Sequence, residues 1–329
     1  MNGAALTWAV VLAAGEGTRL ASLTRDPAGN AVPKQFCSLN GGRSLVQDAI
    51  QRARQVVTPD RTCVIVAEQH ARHWRRALRA LPAENIIVQP QNRGTANGVL
   101  LCVLSILERD PLARIIFLPA DHFVLDESGL ERALRELTTS LAHNPDGVTL
   151  IGIAPDEPDP DLGYIVPGRS LADGSRTVAR FVEKPAPPLA DELFEKKALW
   201  NSFIFGATGP ALLALLRLRM GTAVDEMATA LALEVQEPDS TALAELYDRL
   251  PVVDFSGAVV QQFPCTLRVI TAPACGWTDL GTPRRVADTL RRLTQQVPTS
   301  APDRCSVRPR STPGLINLAA QHARLALAE

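Results

Sequence analysis

The sequence has no excess of charge of either sign. Lysine and arginine number 34 against 35 aspartates and glutamates, which gives a formal net charge of -1 at pH 7. Proteins that bind nucleic acid or an anionic membrane through their overall charge carry a clear basic excess. The composition therefore predicts no nucleic-acid or membrane partner, and any phosphate chemistry has to come from a few locally placed cations.

Cysteine pairs and long apolar runs are also lacking. The six cysteines form no C-x-x-C pair and no Cys/His set with zinc spacing, so we expect reduced thiols in a cytoplasmic protein. The apolar segment 1–15 has no lysine or arginine before it and ends in a glycine-rich turn. This favours a buried first strand over a signal peptide. No apolar stretch reaches the roughly 20 residues that a membrane helix needs.

Short apolar runs alternate with helical patterns in the first half of the chain. They predict strands at 8–13, 62–67, 85–88 and 114–118 and helices at 44–56, 70–80 and 95–108. Such alternation is typical of an α/β fold with a doubly wound, mostly parallel sheet. Because ligands bind these sheets outside the carboxyl ends of the strands, the residues after each run are the candidate site.

The second half of the chain is less regular. We expect strands at 147–153, 163–166, 178–182 and 265–270, a helix that runs into Trp200, and a helix that starts at Thr282 and Pro283. After Val297 the chain is rich in proline, serine, threonine and arginine. We therefore divide it into one domain at 1–297 and a linker with a short helix at 298–329.

Two glycines follow the first predicted strand, in the segment LAAGEGTRL at 12–20. Backbone N–H groups in such a turn can face an anion, a following helix would add its positive end, and Arg19 supplies a charged donor. The plain alternative is a tight turn without a ligand. A Rossmann dinucleotide site is disfavoured because Leu20 stands at the third glycine position and no acidic residue follows a clear second strand.

Charged residues follow other predicted strands or a proline. Lys34, after Pro33, is either a point charge for phosphate or a solvated surface lysine. Asp121 comes directly after a strand and either holds Mg²⁺ or caps a turn, whereas the adjacent His122 is predicted to be structural. Glu183 and Lys184 are expected to point to opposite sides of a strand end rather than to form a salt bridge.

Two further polar residues stand beside tryptophans. Asn201 follows Trp200 and offers both a donor and an acceptor for a sugar diol. Asp279, two residues after Trp277, is a candidate second metal carboxylate. Each residue by itself is equally compatible with an ordinary polar position next to a buried ring.

Taken in order, these segments resemble the sugar-1-phosphate nucleotidyltransferase family, and most closely its mannose-1-phosphate guanylyltransferase branch. The resemblance covers roughly residues 8 to 290. The matching segments are GEGTRL at 15–20, PKQF at 33–36, NRGTA at 92–96, LPADH at 118–122, GYI at 163–165, FVEKP at 181–185, WNS at 200–202 and GWTDLG at 276–281.

The resemblance implies a Rossmann-like nucleotidyltransferase fold with a smaller, sugar-binding, β-rich insertion. It also implies roles for the matching positions. The charges of the reaction would come from Arg19, Lys34 and Lys184. The nucleotide would lie against Leu12, Ala14, Gly15, Gly17, Thr18 and Thr95. The sugar would bind to Gly163, Glu183 and Asn201, and the cofactor Mg²⁺ to Asp121 and Asp279.

The activity implied by the resemblance is transfer of a nucleotidyl group from an NTP to a sugar-1-phosphate, with release of pyrophosphate. GTP and mannose-1-phosphate, giving GDP-mannose, are the preferred pair, and the family resemblance also admits a homodimer. Departures from the branch pattern at Ala21, Ser22, Gly94, Asn97 and Gly98 leave open another NTP with a hexose- or heptose-1-phosphate. A further alternative is a non-catalytic regulatory relative that binds nucleotide-sugar.

Overall fold

A nine-stranded sheet forms the centre of the protein, in the order β3-β2-β1-β4-β8-β5-β9-β7-β6. The structure, a computed structural model, describes residues 7–26, 28–237 and 239–295. The strands are β1 (Thr7–Leu12), β2 (Thr62–Ala67), β3 (Ile86–Gln89), β4 (Arg114–Pro119), β5 (Val148–Ile153), β6 (Tyr164–Ser170), β7 (Arg176–Val182), β8 (Leu199–Thr208) and β9 (Leu267–Thr271).

Helices cover both faces of this sheet. They are α1 (Leu45–Ala53), α2 (Ala71–Ala77), α3 (Thr95–Arg109), α4 (Glu127–Ser140), α5 (Pro187–Glu195), α6 (Gly209–Gln236), α7 (Ala242–Arg249), α8 (Phe255–Ala258) and α9 (Pro283–Gln295). Within the described part of the chain, no helix is both long enough and apolar enough to cross a membrane.

Strand β1 shows how one run of apolar residues serves two cores. Ala9 and Val11 belong to a core shared with α1, α2, α4, α5 and α9, whereas Trp8 and Val10 belong to a core shared with α3, α6, α7 and α8. Successive side chains of a strand point to opposite faces, so a strand between two helical layers has to be apolar throughout. This explains why the run shows no polar alternation.

The direction of the strands confirms the predicted mostly parallel sheet. Strands β1, β2, β3 and β4 are parallel to one another, and β5 is parallel to β9. Strand β8 runs antiparallel to both β4 and β5, and β7 runs antiparallel to β9 and β6. Only β7 and β8 therefore oppose the common direction of this described sheet, and the carboxyl ends of the parallel strands meet at one edge.

The β-rich part of the second half is the β6–β7 hairpin. It pairs with β8 and β9 and so extends the same sheet. The helix predicted from Thr282 and Pro283 is present as α9, where the Arg285 N–H lies 3.3 Å from the Thr282 hydroxyl oxygen. The boundary at 297 and the segment 298–329 lie outside the described residues.

The expectation for the segment before Trp200 is wrong. The helix α5 ends at Glu195, and Leu199–Thr208 forms the central strand β8. The sequence pattern hides this strand because its register with β5 shifts between Leu150 and Gly152 and because Phe203 has a positive φ of 56°. A regular two-residue alternation is lost at such an irregularity, so periodicity does not reveal the strand.

We predict that Phe205→Ala, in β8, lowers the free energy of unfolding by about 3–5 kcal/mol because it leaves a cavity in a close-packed core. The Phe205 ring is buried between Phe117 and Phe255, with centroid separations of 4.8 and 4.9 Å. Urea unfolding followed by circular dichroism measures the change. Leu112→Ala is the control, since Leu112 is 72% exposed and should change stability by less than about 0.5 kcal/mol. Equal losses in the two variants would contradict the packing role of Phe205.

Candidate active site

A cavity of about 520 Å³ opens at the edge where the parallel strands end. Leu12, Gln89 and Pro119, the last residues of β1, β3 and β4, all line it. The predicted site residues that line it are Leu12, Ala14, Gly15, Gly17, Arg19, Thr95, Asp121, Gly163, Glu183, Lys184, Asn201 and Asp279. Thr18 and Lys34 are the predicted site residues outside this lining.

The glycine loop after β1 is shaped by close contacts with the segment around Lys34. Gly17 has a φ of 65°, and a Cβ there would lie 3.0 Å from the Lys34 backbone nitrogen, so only glycine fits without strain. The Gln35 side-chain amide donates to the carbonyl oxygens of Ala13 and Gly15, both at 2.8 Å. These two hydrogen bonds tie the glycine loop to the Gln35 side chain and stabilise the loop where it borders the cavity.

The predicted helix dipole behind this loop is wrong. The segment after Gly17 is a three-residue 3₁₀ turn, Thr18–Leu20, and the next α-helix, α1, begins only at Leu45. One short turn sums too few aligned peptide dipoles to attract an anion. Any attraction for phosphate at this loop would therefore have to come from individual N–H groups and from Arg19, whose guanidinium lies 3.7 Å from the Asp161 carboxylate.

Lys34 lies beneath the cavity, where it joins two of its walls. Its side chain is 8% exposed, and its ammonium lies 3.0 Å from the Asp121 carboxylate. The same ammonium donates to the Asp279 carbonyl oxygen at 2.7 Å. Burial acts to raise the pKa of Asp121, but the charges of Lys34 and of protonated His122, together with hydrogen bonds from Lys34 and the backbone, outweigh it, so that pKa lies below its usual range. Asp121 is therefore an anion held at the end of β4.

Asp279 is the second carboxylate in the cavity wall. Its Oδ1 accepts from the Gly281 N–H at 3.0 Å and from the Arg285 guanidinium at 2.6 Å. A Cβ at Gly281 would lie 2.3 Å from Asp279 Oδ2, so this glycine makes room for the carboxylate. Burial acts to raise the pKa of Asp279, but neighbouring His122, Arg285 and Lys34 together hold it below its usual range.

The two carboxylates fit Mg²⁺ when a phosphate ligand is also bound. Within the described residues, no group of three or more His, Cys, Asp or Glu side chains could hold a metal ion. Mg²⁺ is usually bound by one or two carboxylates, with water and substrate phosphates as its other ligands. Two ionised aspartates lining one cavity match that requirement.

Glu183 and Lys184 form an ion pair, contrary to the prediction that they point apart. The Lys184 ammonium lies 3.2 Å from Glu183 Oε1. Strand alternation does not apply here, because β7 ends at Val182 and Lys184 has a left-handed φ of 44°. A strained backbone at a bulky residue persists only where the surrounding structure holds it, and it is often found at ligand sites.

The other oxygen of Glu183 is buried and has no hydrogen-bond partner among the described residues. It lies so close to Gly163 that a Cβ there would be 2.5 Å away. Burial is the main cause that raises the pKa of Glu183, with Lys184 opposing the shift and Asp254 adding to it. Asn201 lies in the same wall, with its amide 3.4 Å from the Ser256 hydroxyl. An unpartnered buried acceptor beside an amide is suited to a ligand that brings hydroxyl groups.

The segment 251–256, which the sequence did not predict, forms the wall between Thr95 and Glu183. Val252, Asp254 and Ser256 from this segment line the cavity. The Thr95 hydroxyl donates to Asp254 at 3.1 Å, and the Ala96 N–H donates to the Val253 carbonyl at 3.0 Å. No motif marks this segment, because its position depends on contacts with residues some 160 places earlier in the chain.

One sequence signal for that contact does exist. Gly94, a departure from the branch pattern, has a φ of 85°, and a Cβ there would lie 2.3 Å from the Val253 carbonyl oxygen. Any other residue would push the two segments apart. The departure therefore has a structural reason, which is the close approach of 251–256.

His122 packs in the cavity wall. Its ring lies edge-on to Trp277, with centroids 5.1 Å apart, and Nδ1 is buried without a partner among the described residues. Burial lowers the pKa of His122 to about 4, although Asp121 opposes the shift. The imidazole is therefore neutral at pH 7 and adds no positive charge there.

Known proteins resemble this chain over most of its length. The sequence model of the family described as nucleotidyl transferase matches residues 8–296. The alginate biosynthesis protein AlgA of Pseudomonas putida is 30% identical over 279 residues, which are 83% of this chain and 56% of that protein. The mannose-1-phosphate guanylyltransferase RfbM of Salmonella typhimurium is 33% identical over 203 residues, 60% of this chain and 40% of that protein. The chain thus spans about half the length of these curated relatives.

A solved structure supports the same comparison. The crystal structure of a protein described as mannose-1-phosphate geranyltransferase from Thermus thermophilus superposes with a TM-score of 0.72. The two sequences are 29% identical, and the match covers 90% of this chain and 81% of that one.

We predict that His122 makes the folded protein less stable in mild acid. The pKa of His122 is about 4 in the folded protein, against an ordinary value of 6.5. Below pH 6.5 the unfolded chain takes up a proton that the folded chain does not, so stability is lost as the pH falls. Between pH 7 and pH 5 we expect His122→Gln to lose about 2 kcal/mol less stability than the unchanged protein.

Urea unfolding at several pH values in metal-free buffer measures this difference. The matched control is His143→Gln, because His143 is exposed on the surface. The same pH slope in His122→Gln and in the unchanged protein would contradict the buried, neutral imidazole.

Proposed function

The chain belongs to the nucleotidyl transferase family, and from this premise we propose that it is a magnesium-dependent sugar-1-phosphate nucleotidyltransferase. One observation carries the proposal above all. A single cavity brings together a glycine loop with Arg19, two ionised aspartates, and the Glu183–Lys184 pair with its unpartnered carboxylate oxygen. An NTP and a sugar phosphate need these three kinds of group side by side.

The reaction joins two anions. An oxygen of the sugar phosphate attacks the α-phosphorus of the NTP, the bond from that phosphorus to the bridging oxygen breaks, and pyrophosphate leaves with the electron pair. Because the attacking oxygen is already anionic, neither a general base nor a covalent enzyme intermediate is needed. The task of the protein is to hold the two phosphates in line and to offset their charge.

Residues at the glycine loop take the nucleotide. Backbone N–H groups around Gly15, Gly17 and Thr18 and the guanidinium of Arg19 bind the triphosphate, and Arg19 leaves Asp161 to do so. Thr95 lies by the base. Asp121 and Asp279 would hold Mg²⁺, which when bound would help to neutralise the phosphate charge. Lys34 supports this arrangement from beneath, because its ammonium holds Asp121 and the backbone at Asp279.

Residues on the opposite wall take the sugar phosphate. Lys184 binds the phosphate of the sugar phosphate. To do so, its ammonium has to leave the Glu183 carboxylate. Glu183 then accepts hydrogen bonds from sugar hydroxyls, as does Asn201, and the missing side chain at Gly163 leaves space beside Glu183. The unpartnered Oε2 of Glu183 supports this assignment, since a buried acceptor without a partner is costly unless a ligand satisfies it.

GTP and mannose-1-phosphate are the proposed substrates, with GDP-mannose as the product. Support comes from the name of the Salmonella relative, a mannose-1-phosphate guanylyltransferase. Another NTP with a hexose- or heptose-1-phosphate stays the alternative within the same mechanism. A regulatory relative without activity is disfavoured, because such a protein has no need of two aspartates kept ionised in the cavity.

We expect Mg²⁺-dependent release of pyrophosphate from GTP and mannose-1-phosphate. The measurement is a coupled pyrophosphate assay over a matrix of NTPs and sugar-1-phosphates, with Mg²⁺ or with EDTA. Release with a different pair would keep the mechanism and change the specificity. Folded protein that binds nucleotide-sugar but releases no pyrophosphate from any pair would refute the enzyme in favour of the regulatory relative.

Removing either carboxylate charge should slow turnover. Each change also removes a partner of a buried cation, so the variants should melt at lower temperature and turnover is measured where they are still folded. We expect Asp121→Asn and Asp279→Asn each to lower kcat about a hundredfold, which corresponds to roughly 3 kcal/mol of lost transition-state stabilisation. Asp225→Asn is the matched control, because Asp225 forms an exposed ion pair with Arg217 on α6. Thermal melting checks the fold of each variant. Unchanged turnover in both site variants would disprove the metal assignment.

A further inference from the structure

Arg285, near the start of α9, is a buried arginine that connects two walls of the cavity without lining it. Its side chain is 11% exposed. One arm of its guanidinium donates to Asp279 Oδ1 at 2.6 Å, and the other donates to Asp159 Oδ2. The guanidinium carbon also lies 5.1 Å from the centroid of the Trp200 ring. Asp279 from the preceding loop and Asp159 and Trp200 from earlier segments thus all contact this one side chain.

The contact with Asp279 determines which oxygen of that carboxylate is available. Oδ1 is occupied by Arg285 and by the Gly281 N–H, whereas no hydrogen bond from the described residues reaches Oδ2. Two bonds to one oxygen hold the carboxylate in one rotamer. The other oxygen stays available to a ligand.

The contact with Asp159 ties Arg285 to the loop between β5 and β6. Asp159 Oδ1 accepts from the Asp161 N–H within the loop at 2.7 Å, whereas Asp159 Oδ2 accepts from Arg285. The loop carries Asp161, which pairs with Arg19. It continues to Gly163, whose carbonyl accepts from the Asn201 N–H at 2.8 Å.

We propose that Arg285 is a positioning residue that holds the metal-binding carboxylate Asp279 and the sugar-side loop 159–163 in one arrangement. This inference rests on the function proposed above. The planar fork of arginine suits the task, because two N–H arms in fixed geometry can bridge two carboxylates. A lysine carries the same charge but lacks the planar fork, so its three ammonium donors do not fix the directions of the two bonds.

The orienting contacts of Arg285 and its positive charge should have opposite effects on Mg²⁺ binding, so the two can be told apart by experiment. A cation beside Asp279 weakens the attraction of that carboxylate for Mg²⁺, so removing only its charge would strengthen metal binding. Losing a group that orients a metal ligand typically weakens metal binding about 10- to 100-fold. Arg285→Lys removes the fork and keeps the charge, whereas Arg285→Gln removes both.

The experiment titrates inorganic pyrophosphate into each protein by calorimetry, once with Mg²⁺ and once with EDTA. The ratio of the two affinities measures the contribution of the metal and requires no turnover. We expect this ratio to fall about tenfold or more in both Arg285→Lys and Arg285→Gln. Arg284→Gln is the matched control, since Arg284 is an exposed neighbour paired with Glu157, and its ratio should stay within about twofold.

The proposal is overturned if Arg285→Lys keeps the ratio of the unchanged protein or if Arg285→Gln raises it, because Arg285 would then act only through its charge. It is also overturned if the unchanged protein gains no affinity from Mg²⁺. The titration decides these points even if no sugar phosphate is ever converted, so its failure is distinct from failure of the proposed reaction.

A second variant covers the case in which the arginine variants do not fold. Asp159→Asn keeps Arg285 on Asp279 and releases only the loop. In this variant we expect a several-fold higher KM for the sugar phosphate and an Mg²⁺ ratio within about twofold of the unchanged protein. An unchanged KM would contradict the claim that Arg285 positions the loop 159–163. A large fall in the Mg²⁺ ratio would contradict the claim that the contacts of Arg285 with Asp159 and with Asp279 act separately.

Discussion

The buried ammonium of Lys34 is the interaction on which the arrangement of the cavity depends. It joins Asp121 at the end of β4 to the backbone carbonyl of Asp279, two groups that come from distant parts of the chain. A buried charge whose partner is removed destabilises a protein strongly, so this ammonium and the carboxylate have to be kept together. The same contact holds Asp121 ionised and ties the segment around Asp279 to the sheet.

Close backbone approaches organise the rest of the cavity. Gly17 allows the glycine loop to pass the Lys34 backbone, and Gly94 allows the Thr95 segment to contact Val253. Gly281 leaves room for the Asp279 carboxylate. In each case the missing side chain is what permits the contact, and the neighbouring polar groups then face the cavity. The walls of the cavity are thus set by the main chain, and a small number of side chains supply the charge.

Two ion pairs lie within the cavity. Arg19 pairs with Asp161, and Lys184 pairs with Glu183, so both cations predicted to bind phosphate already have carboxylate partners. Both pairs have exposed members, and exposed ion pairs contribute little net stability. A phosphate would therefore compete with Asp161 for Arg19 at small cost, whereas the largely buried Glu183 would need other donors in place of Lys184.

The sequence by itself determined the parallel half of the sheet, the edge at which the cavity lies, and twelve of the residues that line it. It could do so because apolar runs, glycine turns and residues at strand ends are local signals, and because the family segments occur in order. Strand β8, the wall at 251–256, the ion pair of Glu183 with Lys184 and the bridge made by Arg285 were decided only by the tertiary structure. Each of them depends on an irregular backbone or on contacts between distant segments, and neither leaves a periodic trace in the chain.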